Sequence, residues 1–435
     1  MEWIRSNKNI LLNILFFIIC FFITLAAYMI IPLWCDQIWS YGFSNNISKG
    51  LIIYKDFNVL QTPLYFIIAS IFIKLFGHMI IITNILDALI VAVIGLLLNK
   101  MIKWKCIFPL LIIWVFGLSP YNLLCMALLL LIIYLINKDK YNDLLVAFLI
   151  GLIVITKQNI GICLFIPMII YSKKKIKSIL VFLIPIFILI IYLLTQHALF
   201  NFIDYTFLGL FEFSENKSAL SLFFIIEIVI IIYLIYKFWK SKFKDKELFY
   251  IIMFQFVTLP ICELRHFMTA FTIFLFYFLK TCHNKKIWIP LCIIECLFLV
   301  NTYYYNFNYI EINKKKDMLY LKNSSSLVNF LEDVYKYFDG NINNVYFDSE
   351  NSYLLKLYYN APINEFDFYI HGNMGHYNNK RIKKELVNHC KKEQCSFLIY
   401  KKQKKNSQWY ELNNFVKNNY KKTGTFKEFE VYSSK

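Results

Sequence analysis

Glycine is scarce in this sequence, with only twelve in 435 residues. The chain contains no GxGxxG, GxxxxGKS/T or HExxH sequence, and the first two patterns are the glycine-rich loops that hold nucleotide phosphates. A nucleotide-driven pump is therefore not expected. Charged residues are also few, at 17%, against 59% hydrophobic residues. This balance excludes a water-soluble globular protein.

Long runs of Ile, Leu and Phe fill the chain as far as residue 306. A membrane-spanning helix needs roughly 20 apolar residues, and the runs are continuous, without the alternation of a membrane β-barrel. The sequence predicts an α-helical polytopic membrane protein with about eleven spans, within a range of about nine to thirteen. After the first span, which begins near residue 11, the predicted spans are residues 79–98, 106–118, 121–136, 144–156, 159–171, 179–195, 221–239, 248–262, 266–282 and 287–306.

The net charge of +18 would suit a nucleic-acid partner, but its placement argues against one. The lysines cluster between apolar runs, for example in residues 100–105, 173–177 and 237–246. Such clusters are typical of cytoplasmic loops. The amino terminus is then predicted to be cytoplasmic, and an odd number of spans places the carboxyl terminus outside the cell membrane.

The chain divides into two predicted parts at the point where its composition changes. Residues 1–308 form the transmembrane domain, and residues 309–435 mix short apolar runs with helix-like polar stretches. This second part predicts a small α/β domain on the extracytoplasmic side, with a binding or lid role. Cys390 and Cys395 are spaced for a local disulfide, although a pair of free thiols fits equally well.

Two outer loops are predicted, residues 34–78 and residues 196–220. The first carries Asp36 directly after the first span, and Asp56 lies further along it. A carboxylate at a membrane surface is a site hypothesis by default. Residues 63–77 are too short to cross the membrane alone, so we expect a helix that lies along the outer surface.

Further polar residues fall in the predicted outward-facing gaps between spans. Arginine and lysine side chains can hold a phosphate while a carboxylate activates a hydroxyl group. A mixed-charge outward cleft of this kind would suit a reaction whose leaving group is a membrane-embedded phosphate. Together with Asp56, the candidate substrate-binding residues are Lys157, Gln158, Glu263, Arg265 and His266.

The order of these segments resembles a known family. Asp36 is followed by YGFSNNISKGLIIYKDF and TPLYFIIASIFIKLFG, and later by TKQNIG and ELRHF. The pattern looks like that of the GT-C polyprenyl-phosphate-sugar-dependent glycosyltransferases, in particular the bacterial relatives of protein O-mannosyltransferases and of the lipid A aminoarabinose transferase. Gln37 stands where an acid commonly follows the aspartate, which argues against a paired-carboxylate or metal mechanism. Gln61 and Thr62 stand where some relatives carry a lysine.

The resemblance implies a GT-C-like fold and an inverting transfer of a sugar from a polyprenyl-phosphate donor to an acceptor hydroxyl at the outer face of the membrane. It assigns Asp36 as the general base, and Lys157 and Arg265 as contacts of the lipid phosphate. No metal or other cofactor is predicted. The expected partners are the lipid-linked donor, the lipid bilayer and an acceptor that is a protein, a lipid or an envelope glycopolymer.

The sequence leaves two other functions open. A transporter or flippase of lipid-linked saccharides would move the same lipid without forming a glycosidic bond. A polysaccharide polymerase or ligase would use similar chemistry with a pyrophosphate-linked donor.

Overall fold

A computed structural model describes residues 8–30, 35–102, 119–137, 142–208, 222–258, 264–281, 324–349, 351–369, 380–402 and 410–434. Up to residue 281 the described elements are helical. In chain order they are α1 Lys8–Ile30, α2 Cys35–Ser48, α3 Leu64–Phe76, α4 Ile80–Met101, α5 Pro120–Ile136, α6 Asp143–Val154, α7 Gln158–Tyr171, α8 Lys175–Thr195, α9 Leu199–Ile203, α10 Leu222–Lys240, α11 Lys246–Gln255 and α12 Leu264–Thr281.

Polar residues and prolines set several of these helix ends. The Asn142 side chain accepts hydrogen bonds from the first amides of α6, and Asp245 does the same for α11. Pro120 occupies the first position of α5, where the missing amide hydrogen has no consequence. Such caps satisfy amides that would otherwise be unpaired at the start of a helix.

Four described helices are long and apolar enough to cross a membrane, and they lie within α1, α4, α8 and α10. About two thirds of the α4 window is buried against other helices, whereas α1, α8 and α10 leave most of theirs uncovered. Exposed Ile, Leu and Phe side chains on a helix of this length suit contact with lipid. The chain is therefore a multi-pass membrane protein with α4 inside the bundle.

The predicted span count of about eleven stays a prediction. Five shorter apolar helices accompany the four long ones in the described ranges, and they lie within α3, α5, α6, α7 and α12. Two of the predicted spans, residues 106–118 and 287–306, lie outside the described residues. A helix is present within residues 63–77, as α3, and its position along the outer surface stays a prediction.

A small mixed sheet follows near the carboxyl terminus. Its strands are β1 Val345–Phe347, β2 Ser396–Tyr400, β3 Lys421–Phe426 and β4 Phe429–Ser433, in the order β1-β2-β4-β3. β1 pairs parallel to β2, and the other pairs are antiparallel. The helices around it are α13 Ser324–Tyr337, α14 Asn351–Tyr358, α15 Phe366–Tyr369, α16 Lys380–Lys392 and α17 Tyr410–Asn419. We call residues 324–434 the sheet unit.

Two buried links hold the sheet unit together. The Lys356 ammonium lies 2.7 Å from the Asp367 carboxylate, and both side chains are fully buried. Cys390 and Cys395 form a disulfide between the end of α16 and the start of β2. Of the two alternatives that the sequence left open for these cysteines, the structure therefore has the disulfide.

Candidate active site

Asp36 lies in the first turn of α2, a helix that the sequence analysis did not predict within residues 34–78. The Ser119 hydroxyl donates a hydrogen bond to Asp36 Oδ2, and the Tyr121 hydroxyl lies 3.5 Å from the same oxygen. Both donors belong to the start of α5. Asp36 is therefore held by a segment more than eighty positions further along the chain.

Lys157 is held by the same turn of α5. Its Nζ donates a 2.9 Å hydrogen bond to Asn122 Oδ1 and lies 5.4 Å from the centre of the Tyr121 ring. The side chain is buried, with 8% of its surface exposed. A buried ammonium is stable only where acceptors or an aromatic face replace water. Tyr121 and Asn122 thus connect the base candidate to the phosphate-contact candidate.

The start of α12 meets this group through Thr269. Asn122 Nδ2 donates to Thr269 Oγ1 at 3.3 Å, and His266 lies one turn before Thr269 and is partly buried. Arg265 lies in the first turn of α12 by its backbone. Glu263 lies outside the described residues.

Gln158 joins three segments beside Lys157. Its Nε2 donates to the carbonyls of Thr206, at 2.6 Å, and of Leu60, at 3.2 Å. Both amide hydrogens are thus used within the protein. Gln158 fixes the approach of the segment around residue 60 to the start of α7.

The segment before α3 is also tied to the residues that precede Lys157. Thr62 Oγ1 donates to the Val154 carbonyl at 2.9 Å, and the Leu64 amide donates to the Ile155 carbonyl at 2.9 Å. These bonds place the start of α3 beside the start of α7.

Asp56 is exposed and acts within its own turn. Its Oδ2 accepts a 2.7 Å hydrogen bond from the Ile52 amide. The position suits a turn-forming carboxylate. A substrate contact by Asp56 stays a prediction.

The other end of α2 docks onto the sheet unit. Asn46 Nδ2 donates to the Ile363 carbonyl at 2.6 Å, while the Ile363 amide donates back to Asn46 Oδ1 at 3.2 Å. Asn45 Nδ2 donates to Asn360 Oδ1 at 2.8 Å. A Cβ at Gly42 would lie 2.2 Å from Ile363 Cδ1, so only glycine permits this approach without movement of the isoleucine.

Glu365 extends the docking contact to the segment after α2. Its two oxygens accept from the Asn58 amide at 3.1 Å and from Asn58 Nδ2 at 2.8 Å. Burial raises the pKa of Glu365, and the hydrogen bonds from Asn58 oppose that shift. A second contact joins Tyr205, which donates to Glu385 of α16.

The arrangement brings one carboxylate near the Tyr121 hydroxyl and one ammonium near the Tyr121 ring. The amino-terminal ends of α2, α5, α7 and α12 meet here, and helix amino termini favour negative charge. In the described ranges no group of three His, Cys, Asp or Glu side chains is placed to hold a metal ion. Such a setting can hold an anion next to a base.

Ser119, Tyr121 and Asn122 are the site residues that the sequence analysis missed. They lie where one predicted span ends and the next begins, and the sequence analysis assigned them no role. The sequence pattern that could have identified them is a run of polar residues at the start of a helix, where side chains and unpaired backbone amides can bind one anion.

Comparison with known proteins supplies a fold but no close relative. No protein-family model matches the sequence, and no curated protein matches it. The chain is similar to a crystal structure of ArnT from Cupriavidus metallidurans bound to undecaprenyl phosphate, with a TM-score of 0.56 and 10% identity over 98% of each chain. It is also similar to the same protein in the apo state, with a TM-score of 0.54 and 9% identity over 99% of this chain and 98% of the other. The chain therefore has the fold of ArnT, a GT-C glycosyltransferase, as the sequence resemblance predicted.

Proposed function

We propose that the chain is an integral membrane glycosyltransferase. It moves a sugar from a polyprenyl-phosphate donor to an acceptor hydroxyl at the outer face of the cell membrane, with inversion at the anomeric carbon. Its fold is that of a protein crystallised with undecaprenyl phosphate. A donor of that class carries an activated phosphodiester, so the reaction needs no nucleotide.

The observation that carries the proposal is the pair of contacts made by neighbouring residues of α5. Tyr121 lies against the Asp36 carboxylate, and Asn122 holds the Lys157 ammonium. A sugar phosphodiester needs these two groups on opposite sides of its anomeric carbon. The shared turn of α5 fixes their separation.

Asp36 is the general base of the proposed reaction. Its carboxylate takes the proton of the acceptor hydroxyl while that oxygen attacks the anomeric carbon. The bond from the anomeric carbon to the phosphate oxygen breaks, and polyprenyl phosphate leaves with the bonding electrons. Base catalysis of this kind contributes about 10²- to 10⁴-fold to the rate.

Lys157 and the helix amino termini around it stabilise the phosphate. Charge on the leaving oxygen grows in the transition state, so a fixed ammonium there lowers the barrier more than it strengthens ground-state binding. Arg265 and His266, on the first turn of α12, extend this phosphate-facing side in our proposal, and Glu263 just before them stays a candidate for substrate binding. Asp56 and Gln158 are proposed as supports of the donor site.

The test is release of polyprenyl phosphate from a purified protein supplied with undecaprenyl-phosphate sugars. Asp36→Asn is expected to lower the rate about 10²- to 10⁴-fold while the melting temperature stays close to that of the wild type. Asp245→Asn is the matched control, because it makes the same change at the amino-terminal cap of α11 and keeps the cap. Full activity of Asp36→Asn would remove Asp36 as the base. Movement of the lipid-linked sugar without release of polyprenyl phosphate would instead indicate a transporter.

A further inference from the structure

A second polar cluster lies within the helical bundle, and the mechanism above does not use it. Tyr65 of α3 donates a 2.7 Å hydrogen bond to Asp87 Oδ1 of α4. Tyr28 of α1 lies within electrostatic reach of the same carboxylate, and Asn84 precedes Asp87 by one helical turn on the same face of α4. All four side chains are buried, with at most 2% of their surface exposed.

Two polar atoms of this cluster lack a partner. Among the described residues, the Tyr28 hydroxyl and Asn84 Nδ2 are buried side-chain atoms that make no hydrogen bond. Buried donors are almost always paired, because an unpaired one has lost its contact with water without replacement. A carboxylate inside a membrane bundle is likewise retained mainly where it serves a site. The cluster therefore has unused hydrogen-bonding groups at a position where apolar side chains of similar volume would be more stable.

The cluster lies next to the lysine side of the candidate active site. Tyr65 directly follows Leu64, whose amide donates to the Ile155 carbonyl two residues before Lys157. Helix α3 also contacts α5, the helix that carries Tyr121 and Asn122. If Lys157 binds the phosphate of a ligand, the groups bonded to that phosphate lie close to the start of α3.

The chemistry of the cluster favours hydroxyl groups over a phosphate. The Asp87 carboxylate repels an anion but accepts hydrogen bonds from hydroxyls. The tyrosine hydroxyl and the asparagine amide can donate to the oxygens of a saccharide, and the amide oxygen can accept. A sugar hydroxyl both donates and accepts, so it can pair with the Tyr28 hydroxyl and with Asn84 Nδ2, the two atoms without a partner among the described residues.

We propose that Tyr28, Tyr65, Asn84 and Asp87 form a subsite that binds the hydroxyl groups of the transferred sugar. The proposal rests on the proposed function, since the phosphate of the same lipid is assigned to Lys157. The sugar of the lipid then binds to this cluster, and the phosphate of the same lipid binds near Lys157. Polyprenyl phosphate without a sugar contacts only the residues near Lys157.

The experiment compares the affinity of purified protein for bare undecaprenyl phosphate with its affinity for undecaprenyl phosphate that carries glucose, mannose, galactose or an aminopentose. The wild type is expected to bind at least one of the sugar lipids more tightly than the bare lipid. Asp87→Asn and Tyr28→Phe are expected to weaken binding of that sugar lipid about tenfold each. Neither change should alter the affinity for bare undecaprenyl phosphate, and this unchanged affinity also reports an intact fold.

The matched control is Asn99→Ala. Asn99 donates to Asn13 at 3.0 Å, so it also joins α4 to α1. It lies twelve residues beyond Asp87, about 18 Å along the helix. The control should leave both affinities unchanged.

Each outcome separates this subsite from the proposed function. Failure of the wild type to bind any of the lipids would overturn the proposed function. Binding of every sugar lipid no more tightly than bare lipid would overturn the subsite alone. Equal losses for sugar lipid and bare lipid in Asp87→Asn and Tyr28→Phe would make the cluster a structural contact between helices, and would also overturn the subsite.

Discussion

Asn122 should control the reaction through Lys157 and not through substrate contact. Replacement by Ala removes the acceptor that lies 2.9 Å from Lys157 Nζ and the donor to Thr269. A hydrogen bond to a charged group contributes about 1.5 to 3 kcal/mol, which corresponds to roughly 10- to 150-fold in rate. We expect kcat/KM of Asn122→Ala to fall by that amount, because the buried ammonium no longer has a fixed position beside the leaving phosphate.

A double-mutant cycle distinguishes this role from a general loss of structure. If Asn122 acts by holding Lys157, then Asn122→Ala combined with Lys157→Met should be no slower than Lys157→Met alone. The assay is initial release of undecaprenyl phosphate from the preferred sugar lipid. Asn137→Ala is the control on the same helix, because Asn137 donates to Glu247 at 2.7 Å from the opposite end of α5. It should lower the melting temperature and leave kcat/KM within about twofold of the wild type.

Two results would refute this reasoning. One is an Asn122→Ala protein with wild-type kcat/KM. The other is a rate loss of the same size in the presence and in the absence of the Lys157 side chain, because independent effects add and would place Asn122 outside the lysine's environment.

Three further predictions concern the docking contact and the bundle. Gly42→Ala should destabilise the protein by about 1 to 3 kcal/mol through overpacking against Ile363, and the helix propensity of alanine offsets part of this loss. Adding Ile363→Val, which removes the clashing methyl group, should restore the melting temperature. A double variant that stays as unstable as Gly42→Ala would show that the clash is not with Ile363. Glu227→Leu should raise the melting temperature, because both Glu227 oxygens are buried and without hydrogen bonds among the described residues. Removing them recovers about 1 to 3 kcal/mol, and a lower melting temperature would contradict this account. Glu365 has a pKa above its usual value of 4.5, so its protonation favours the folded state at low pH, and this contribution decreases as the pH rises from about 4.5 through the folded-state pKa. The free energy of unfolding of Glu365→Gln should lack this pH dependence. A pH profile identical to that of the wild type would exclude Glu365 as its source.

The long apolar helices could be predicted from sequence because composition alone determines them. A run of about 20 apolar residues in a membrane has few alternatives to a helix. The mixture of short strands and helices in residues 324–434 followed in the same way from local pattern. These features need no knowledge of which segments are neighbours.

Helix α2 could not be predicted in this way. Residues 35–48 mix aromatic residues with Asn, Ser and Gly42, and their local preference suggests a loop. The contacts that stabilise the helix come from Asn360 and Ile363, more than three hundred residues later. Tertiary contacts of that range override local propensity.

The candidate site was predicted in part. Asp36 and Lys157 were proposed by type and by their place between apolar runs, but the group that joins them was not. Asp87 was also missed, since it lies within the apolar run of α4. The rule that an ionisable residue inside a span marks a site would have identified it.

The bond between Cys390 and Cys395 has a consequence for the compartment in which the sheet unit folds. Disulfides persist where thiols are oxidised and are rare in the cytosol. An outward sheet unit stays a prediction, which the lysine clusters favour by electrostatics and the disulfide favours by redox chemistry. These two properties are independent, because the lysines lie between spans and the disulfide lies beyond them. A sheet unit produced in a reducing cytosol would therefore lack a covalent link that forms in an oxidising compartment.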